Sequence, residues 1–186
     1  MKILGVILAA GLSSRFKGNK LIFNYNGKPI LQWTIDLLNS FDFDKLIVVN
    51  EKWNEYKDNF ELYDFKILIN NNYTSGISSS VKIAINYALN NSYDYVLIFL
   101  GDMPLVKKEI VEKILNINSD KPIIAPYYNN KKGFPTLVKK EIYEEILNLQ
   151  GDAGIKQIIK KNPDYIEKVF VDSPETTIDF DYKLEG

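Results

Sequence analysis

The chain has 186 residues, enough to bury a sizeable core in one ordinary domain, and we read residues 1–186 as a single domain. Its 23 basic and 24 acidic residues nearly cancel, which argues against a nucleic-acid or anionic-membrane partner. With no cysteine and no histidine, disulfides, thiolate chemistry, imidazole metal sites and histidine general bases are all excluded. Any catalysis must run on carboxylates, lysines, hydroxyls, backbone amides and a single arginine, Arg15.

The first apolar run, Ile3 to Ala9, reads as a buried strand. It is too short to span a membrane and lacks a signal-cleavage pattern, so a soluble, cytoplasmic protein is expected. A helical pattern follows from Pro29 to Asn39, then strands at Leu46 to Val49 and Phe65 to Ile69 and a helix from Ser80 to Asn90. A serine of the tract Ser78 to Ser80 is expected to cap that helix. Next come a strand at Tyr95 to Leu100, a helix from Lys107 to Asn116, and strands at Pro122 to Ala125 and Thr136 to Val138. Helices at Lys140 to Leu149 and Ala153 to Lys161 and a strand at Lys168 to Val171 complete the chain.

Strand and helix alternate over the first two thirds, which predicts an α/β fold with a mainly parallel sheet covered on both faces. In such sheets ligands bind beyond the carboxyl ends of the strands. Residues 10–20, 70–80 and 101–104 each follow a strand, so all three loops are expected to open on one edge.

The loop after the first strand combines Gly11, small polar residues, Arg15 and Lys20. Successive backbone amides in such a turn make an anion-binding concavity, and a guanidinium fork grips two phosphate oxygens where a lysine ammonium cannot. Its spacing is neither a Walker loop nor a dinucleotide fingerprint, and generic content alone also fits a capped strand-to-helix turn. Asp102, at the end of the apolar run "YVLIFL" and before Met103 and Pro104, should emerge at the carboxyl edge, where a carboxylate can share Mg2+ with substrate phosphates. Asp179 or Asp181, two apart and on one face if extended, offers a second carboxylate.

The whole pattern "LAAGLSSRFKGNKLI", residues 8–22, resembles the signature loop of the MobA-like NTP transferases, nucleotidyltransferases of the molybdenum cofactor type. Leu8, Ala9, Gly11, Ser13, Arg15, Gly18 and Lys20 match it in order, and the "LAAG" spelling, which includes Ala10, resembles the cytidylyltransferase branch rather than the guanylyltransferase branch. "NYNGKPILQWTIDLL" at 24–38, "GISSSVKIAI" from Gly76, "FLGDMPLV" at 99–106, "KGFP" at 132–135, "GDAG" at 151–154 and the closing "TIDFDYKLEG" resemble further family segments. Phe134 stands where that branch has His, Lys132 where it has Arg, and Tyr182 where it has Thr.

The resemblance implies a Rossmann-like three-layer α/β/α fold of the nucleotide-diphospho-sugar transferase type. It also implies transfer of CMP from CTP to the terminal phosphate of a molybdenum-pterin cofactor, with Mg2+ as cofactor and a molybdoenzyme as recipient. By the same resemblance Arg15, Lys20 and Asp102 are catalytic, while Leu8, Ala9, Ala10, Gly11, Ser13, Arg15, Lys20, Gly76 and Ser80 bind the nucleotide. Asp102 and Asp181 hold the metal, and Lys132, Gly133 and Asp152 are candidates for the acceptor side. The rival readings are a guanylyltransferase of the same pathway, a sugar-phosphate nucleotidyltransferase, and a non-catalytic nucleotide- or cofactor-binding chaperone. A phosphate monoester acceptor has its second pKa near ~6 and is already ionised at neutral pH, so the lack of histidine is no obstacle to transfer.

Overall fold

A computed structural model describes residues 1–11 and 18–180. In chain order its elements are β1 (Ile3–Ala9), β2 (Asn24–Tyr25), β3 (Lys28–Pro29), α1 (Ile30–Asn39), β4 (Asp44–Asn50), α2 (Trp53–Tyr56), β5 (Lys66–Asn70) and α3 (Ile77–Asn90). They continue with β6 (Tyr95–Leu100), α4 (Lys108–Leu115), β7 (Ile123–Tyr128), β8 (Lys131–Lys132), β9 (Thr136–Lys139), α5 (Tyr143–Leu147), α6 (Lys156–Lys161) and β10 (Ile166–Phe170).

The main sheet runs β10-β7-β9-β6-β1-β4-β5, with β8 paired to β7. β1 lies between β4 and β6, parallel to both, β5 is parallel to β4, and β10 is parallel to β7. β9 enters antiparallel between β6 and β7. The expected mainly parallel sheet is therefore present, with an antiparallel insertion on one side.

The period-2 alternation of β1 divides the core. Leu4, Val6 and Leu8 face one layer with Val81, Ala84, Ile85 and Ala88 of α3, Tyr143 and Ile146 of α5, and Ile158 of α6. Ile7 and Ala9 face the other with Leu31, Ile35 and Leu38 of α1, Trp53 and Tyr56 of α2, and Val111 and Ile114 of α4. Strands buried on both faces need continuous apolar sequence, as β1 and β6 show. Gly5 is required on the second face, because a Cβ there would lie 2.5 Å from the Phe43 ring.

Three helices differ from expectation. α3 begins at Ile77, ahead of the serines. The stretch from Lys140 opens with a 3-10 turn, Lys140–Ile142, before the short α5. α6 begins only at Lys156, since Gly151 (φ +73°) and Gly154 (φ +52°) hold the preceding segment in left-handed conformations that no helix contains.

Candidate active site at the carboxyl edge of the sheet

Because β1, β4, β5 and β6 run parallel, their carboxyl ends share one edge, and the described parts of the three singled-out loops start from it. At the end of β1, Leu8, Ala9 and Ala10 are buried and Gly11 is exposed. The Leu8 carbonyl accepts a hydrogen bond from Gly101 N at 2.9 Å, tying the β1 loop to the β6 loop. Asn50, at the end of β4, donates from Nδ2 to the Ala10 carbonyl at 3.5 Å. A Cβ on Gly101 would lie 3.2 Å from Ala9 Cβ and 3.3 Å from the Leu8 carbonyl, a tight fit between the two loops.

The chain is described again from Gly18, whose φ of +96° favours glycine. The Asn19 side chain then accepts from Leu21 N at 3.0 Å, closing a short 3-10 turn. Leu21 is buried in the core, and that anchor fixes its neighbour Lys20. The Lys20 Nζ donates to Asp102 Oδ2 at 2.6 Å, with side chains only 12% and 17% exposed. Two segments far apart in sequence thus deliver a cation and a carboxylate to one point. The Asp102 carbonyl accepts from Phe180 N at 3.0 Å, and Phe180 packs edge-on against Tyr25 at 4.9 Å. The acidic closing segment therefore reaches the Asp102 loop. Ser13, Arg15 and Asp181 lie outside the described residues.

The 70–80 loop is organised by Asn70, a residue the sequence analysis did not single out. Asn70, 1% exposed at the end of β5, donates from Nδ2 to Ser79 Oγ at 2.8 Å and to Ser80 Oγ at 2.9 Å. Its Oδ1 accepts from Asn72 N at 2.8 Å. Ser80, expected to meet nucleotide, spends its hydroxyl contact on Asn70 in this structure. No serine caps α3. The Ser79 hydroxyl donates to the Gly76 carbonyl at 2.8 Å, and the buried Ser78 hydroxyl has no partner.

The cap comes from the distant "GDAG" segment. Ile77 N donates to Asp152 Oδ1 at 3.2 Å and Ser78 N to the Gly151 carbonyl at 3.2 Å. Gly76 has φ +104°, and a Cβ there would lie 2.5 Å from Gly151 O, so glycine is needed twice over. Asp152, expected on the acceptor side, holds the start of α3.

Two further acceptor-side candidates are Lys132, which ends β8, and Gly133, which follows it. Gly133 is packed against Thr176, whose carbonyl and side chain leave no room for a Cβ, and its N donates to the Pro126 carbonyl at 2.7 Å. Close packing accounts for this glycine. Lys132 Nζ donates to the Thr136 hydroxyl and to the Gly133 carbonyl at 3.2 Å, and lies 4.2 Å from the centre of the Phe134 ring. Burial, with the Lys156 charge beside it, pushes the Lys132 ammonium down to about 7. Sequence reading did not single out Lys156.

Among the described residues no group of three or more acidic side chains could hold a metal ion. Asp102 nevertheless offers a hard oxygen donor at the mouth of the sheet, which suits a divalent cation shared with substrate phosphates and water, not an all-protein cage. A shallow cavity lined by Met1, Ile3, Tyr95, Leu115 and Lys139 lies at the opposite, amino edge. Among the described residues no helix is long and apolar enough to cross a membrane.

A mainly parallel sheet with helices on both faces, and Gly11, Lys20 and Asp102 at its carboxyl edge, defines a Rossmann-like three-layer protein of the nucleotide-diphospho-sugar transferase fold. The family model for the MobA-like NTP transferase domain matches residues 5–166, and the chain belongs to that family. A probable molybdenum cofactor guanylyltransferase of Thermococcus sibiricus is 33% identical over 131 residues, covering 69% of this chain and 63% of that protein. The chain thus spans less than two thirds of the length of that relative. The crystal structure of Rv0371c from Mycobacterium tuberculosis H37Rv matches with a TM-score of 0.83 at 21% identity, over 93% of this chain and 89% of that one. A manganese complex of Rv0371c matches with a TM-score of 0.78 at 19% identity, over 93% and 90%.

Proposed function

We propose that this protein is a metal-dependent nucleotidyltransferase that moves CMP from CTP to the terminal phosphate of a molybdenum-bound pterin and releases pyrophosphate. The observation that carries the reading is the Lys20–Asp102 pair at the carboxyl edge, 2.6 Å apart and largely shielded from water. A triphosphate and a divalent cation are the ligands able to take one partner each. Lys20 would pass from the carboxylate to phosphate oxygens, and Asp102 would turn its freed carboxylate to Mg2+. When bound, that ion supplies neutralisation of the charge that builds on the phosphates. The manganese in the Rv0371c complex supports a divalent ion in this fold.

The chemistry asks little else of the chain. An acceptor phosphate oxygen attacks the α-phosphorus, the bond from that phosphorus to the bridging oxygen breaks, and pyrophosphate leaves with the electron pair. The attacking oxygen is already ionised, so the residues need only align it and stabilise charge. Arg15 and Ser13, on the loop between Gly11 and Gly18, are assigned to the triphosphate, together with the backbone of residues 8–11. Asp181 is assigned as the second carboxylate, and the pterin-bearing product is assigned to a molybdoenzyme.

A guanylyltransferase of the same pathway is the second reading, favoured by the name of the 33% identical relative, whereas "LAAG" favours CTP. Pyrophosphate release, measured with each of the four nucleoside triphosphates, Mg2+ and molybdenum-pterin, decides between them. Release with CTP alone supports the cytidylyl reading, and release with GTP moves the assignment. Binding without release under any acceptor would make the protein a nucleotide-binding chaperone.

A further inference from the structure

Residues 173–180 form a closing segment that is tied to the rest of the fold at both ends. On the β8 side, Phe134 N donates to the Thr176 carbonyl at 2.8 Å and Lys131 Nζ to the Thr177 carbonyl at 3.1 Å. Lys107 pairs with Glu175 at 3.1 Å. At the far end Phe180, only 7% exposed, donates from its N to the Asp102 carbonyl at 3.0 Å. Its ring stands edge-on to Tyr25 with the centres 4.9 Å apart, so a residue near the start of the chain holds one near the end.

Tyr25 belongs to a platform that is itself fixed. Asn26 and Gly27, at φ +49° and +94°, make the two-residue turn between β2 and β3. Trp33 of α1 donates from Nε1 to the Tyr25 carbonyl at 2.9 Å, and the two rings pack edge-on at 6.3 Å. Lys28 lies 4.1 Å from the centre of the Trp33 ring and pairs with Asp36 of the same helix at 2.5 Å. The hairpin therefore stands on α1, which is buried in the core through Leu31, Ile35 and Leu38. Around Asp102 the backbone is held by three hydrogen bonds. Gly101 N donates to the Leu8 carbonyl at 2.9 Å and Met103 N to the Leu100 carbonyl at 3.3 Å, while the third, from Phe180, grips the Asp102 carbonyl itself.

We infer that Tyr25 and Phe180 are positioning residues for Asp102: their ring contact anchors the Phe180 amide on the Asp102 carbonyl and so fixes the backbone from which the Asp102 carboxylate meets a divalent ion. The ion's part in this rests on the nucleotidyltransferase reading; the anchoring itself rests on the ring contact and the hydrogen bond. In the free protein Asp102 faces Lys20 at 2.6 Å, and to serve a cation its carboxylate must turn away from the lysine. A side chain that turns delivers its oxygens to a defined place only if its own backbone stays still, which is what partners behind a metal ligand provide. Tyr25 acts through Phe180, and Phe180 through the Asp102 carbonyl. Neither ring needs to touch nucleotide or ion.

The test uses the full chain and two readouts. The first is hydrogen exchange of the Phe180 amide in protein labelled with 15N-phenylalanine, its signal assigned with Phe180→Leu. Tyr25→Ala should speed that exchange about two- to tenfold, the scale of one aromatic pair, and Tyr25→Phe, which keeps the ring, should not. The second is the gain in nucleotide affinity that Mn2+ confers, measured by calorimetry with and without the ion, the nucleotide being whichever of CTP and GTP the wild type binds. Tyr25→Ala and Phe180→Ala should shrink this gain about two- to tenfold while affinity without metal stays as in the wild type, and Tyr25→Phe should restore it. Tyr25 is half-buried on a surface hairpin, so its variants keep the fold even if Phe180→Ala does not. Unchanged exchange in Tyr25→Ala would overturn the inference. So would an unchanged metal gain in folded Tyr25→Ala, which would leave the pair a purely structural contact, or a loss in Tyr25→Phe as large as in Tyr25→Ala. A wild type with no metal gain for either nucleotide counts instead against the nucleotidyltransferase reading, and the exchange result then decides the anchoring by itself.

Discussion

Replacing Asp102 with asparagine keeps the shape of the side chain and removes its charge. In the free protein Lys20 and Asp102 are 2.6 Å apart with side chains 12% and 17% exposed, shielded more than a surface pair but not fully buried. Surface pairs contribute about 0–1 kcal/mol and breaking a fully buried one costs about 3–5 kcal/mol. Asparagine still accepts a hydrogen bond from Lys20, so the expected loss lies between these limits, at about 1–2 kcal/mol. For a chain of this size that lowers Tm by about 2–8 °C. Urea unfolding of the wild type, Asp102→Asn, Lys20→Met and the double variant gives the coupling directly, and about 1 kcal/mol or more is expected. The same proteins, melted with CTP and with or without Mg2+, should show a metal-dependent rise in Tm in the wild type that Asp102→Asn lacks. Coupling below about 0.3 kcal/mol, or an undiminished metal-dependent rise in Asp102→Asn, would refute the pairing as the basis of the site.

Gly76→Ala places a Cβ 2.5 Å from the Gly151 carbonyl at φ +104°, and should cost about 2 kcal/mol or more by thermal unfolding while weakening nucleotide binding. Asn70→Ala leaves the Ser79 and Ser80 hydroxyls and Asn72 N without their buried partner, and should cost about 2–3 kcal/mol in urea with slowed pyrophosphate release. Lys132 titrates near 7 in the folded protein and near 10.5 unfolded, so between those values the unfolded chain binds the extra proton. Its contribution to stability therefore rises with pH from about 7 to 10.5 and is flat below, and a Lys132→Met difference profile by chemical denaturation should be missing that rise.

What the sequence disclosed depended on how local the determining physics was. β1 and β6 are continuous apolar runs between turn residues, and both fall where periodicity put them, at Ile3–Ala9 and Tyr95–Leu100. The place of Lys20 and Asp102 at the carboxyl edge was legible because each sits in a compact motif beside a strand end. The start of α3 was not, since Asp152 and Gly151, far along the chain, complete it while the adjacent serines bond elsewhere. Asn70 is the first of three consecutive asparagines, and only the fold turns its amide toward Ser79 and Ser80.

Lys20 is paired in advance with Asp102, so on the proposed function a triphosphate that takes the lysine frees a carboxylate for the metal ion, and binding of either is coupled to the other. A triphosphate without a divalent ion would leave that carboxylate uncompensated beside added negative charge. CTP alone should therefore raise Tm less than CTP with Mg2+, and an equal rise in both would count against a metal-assisted site at Asp102.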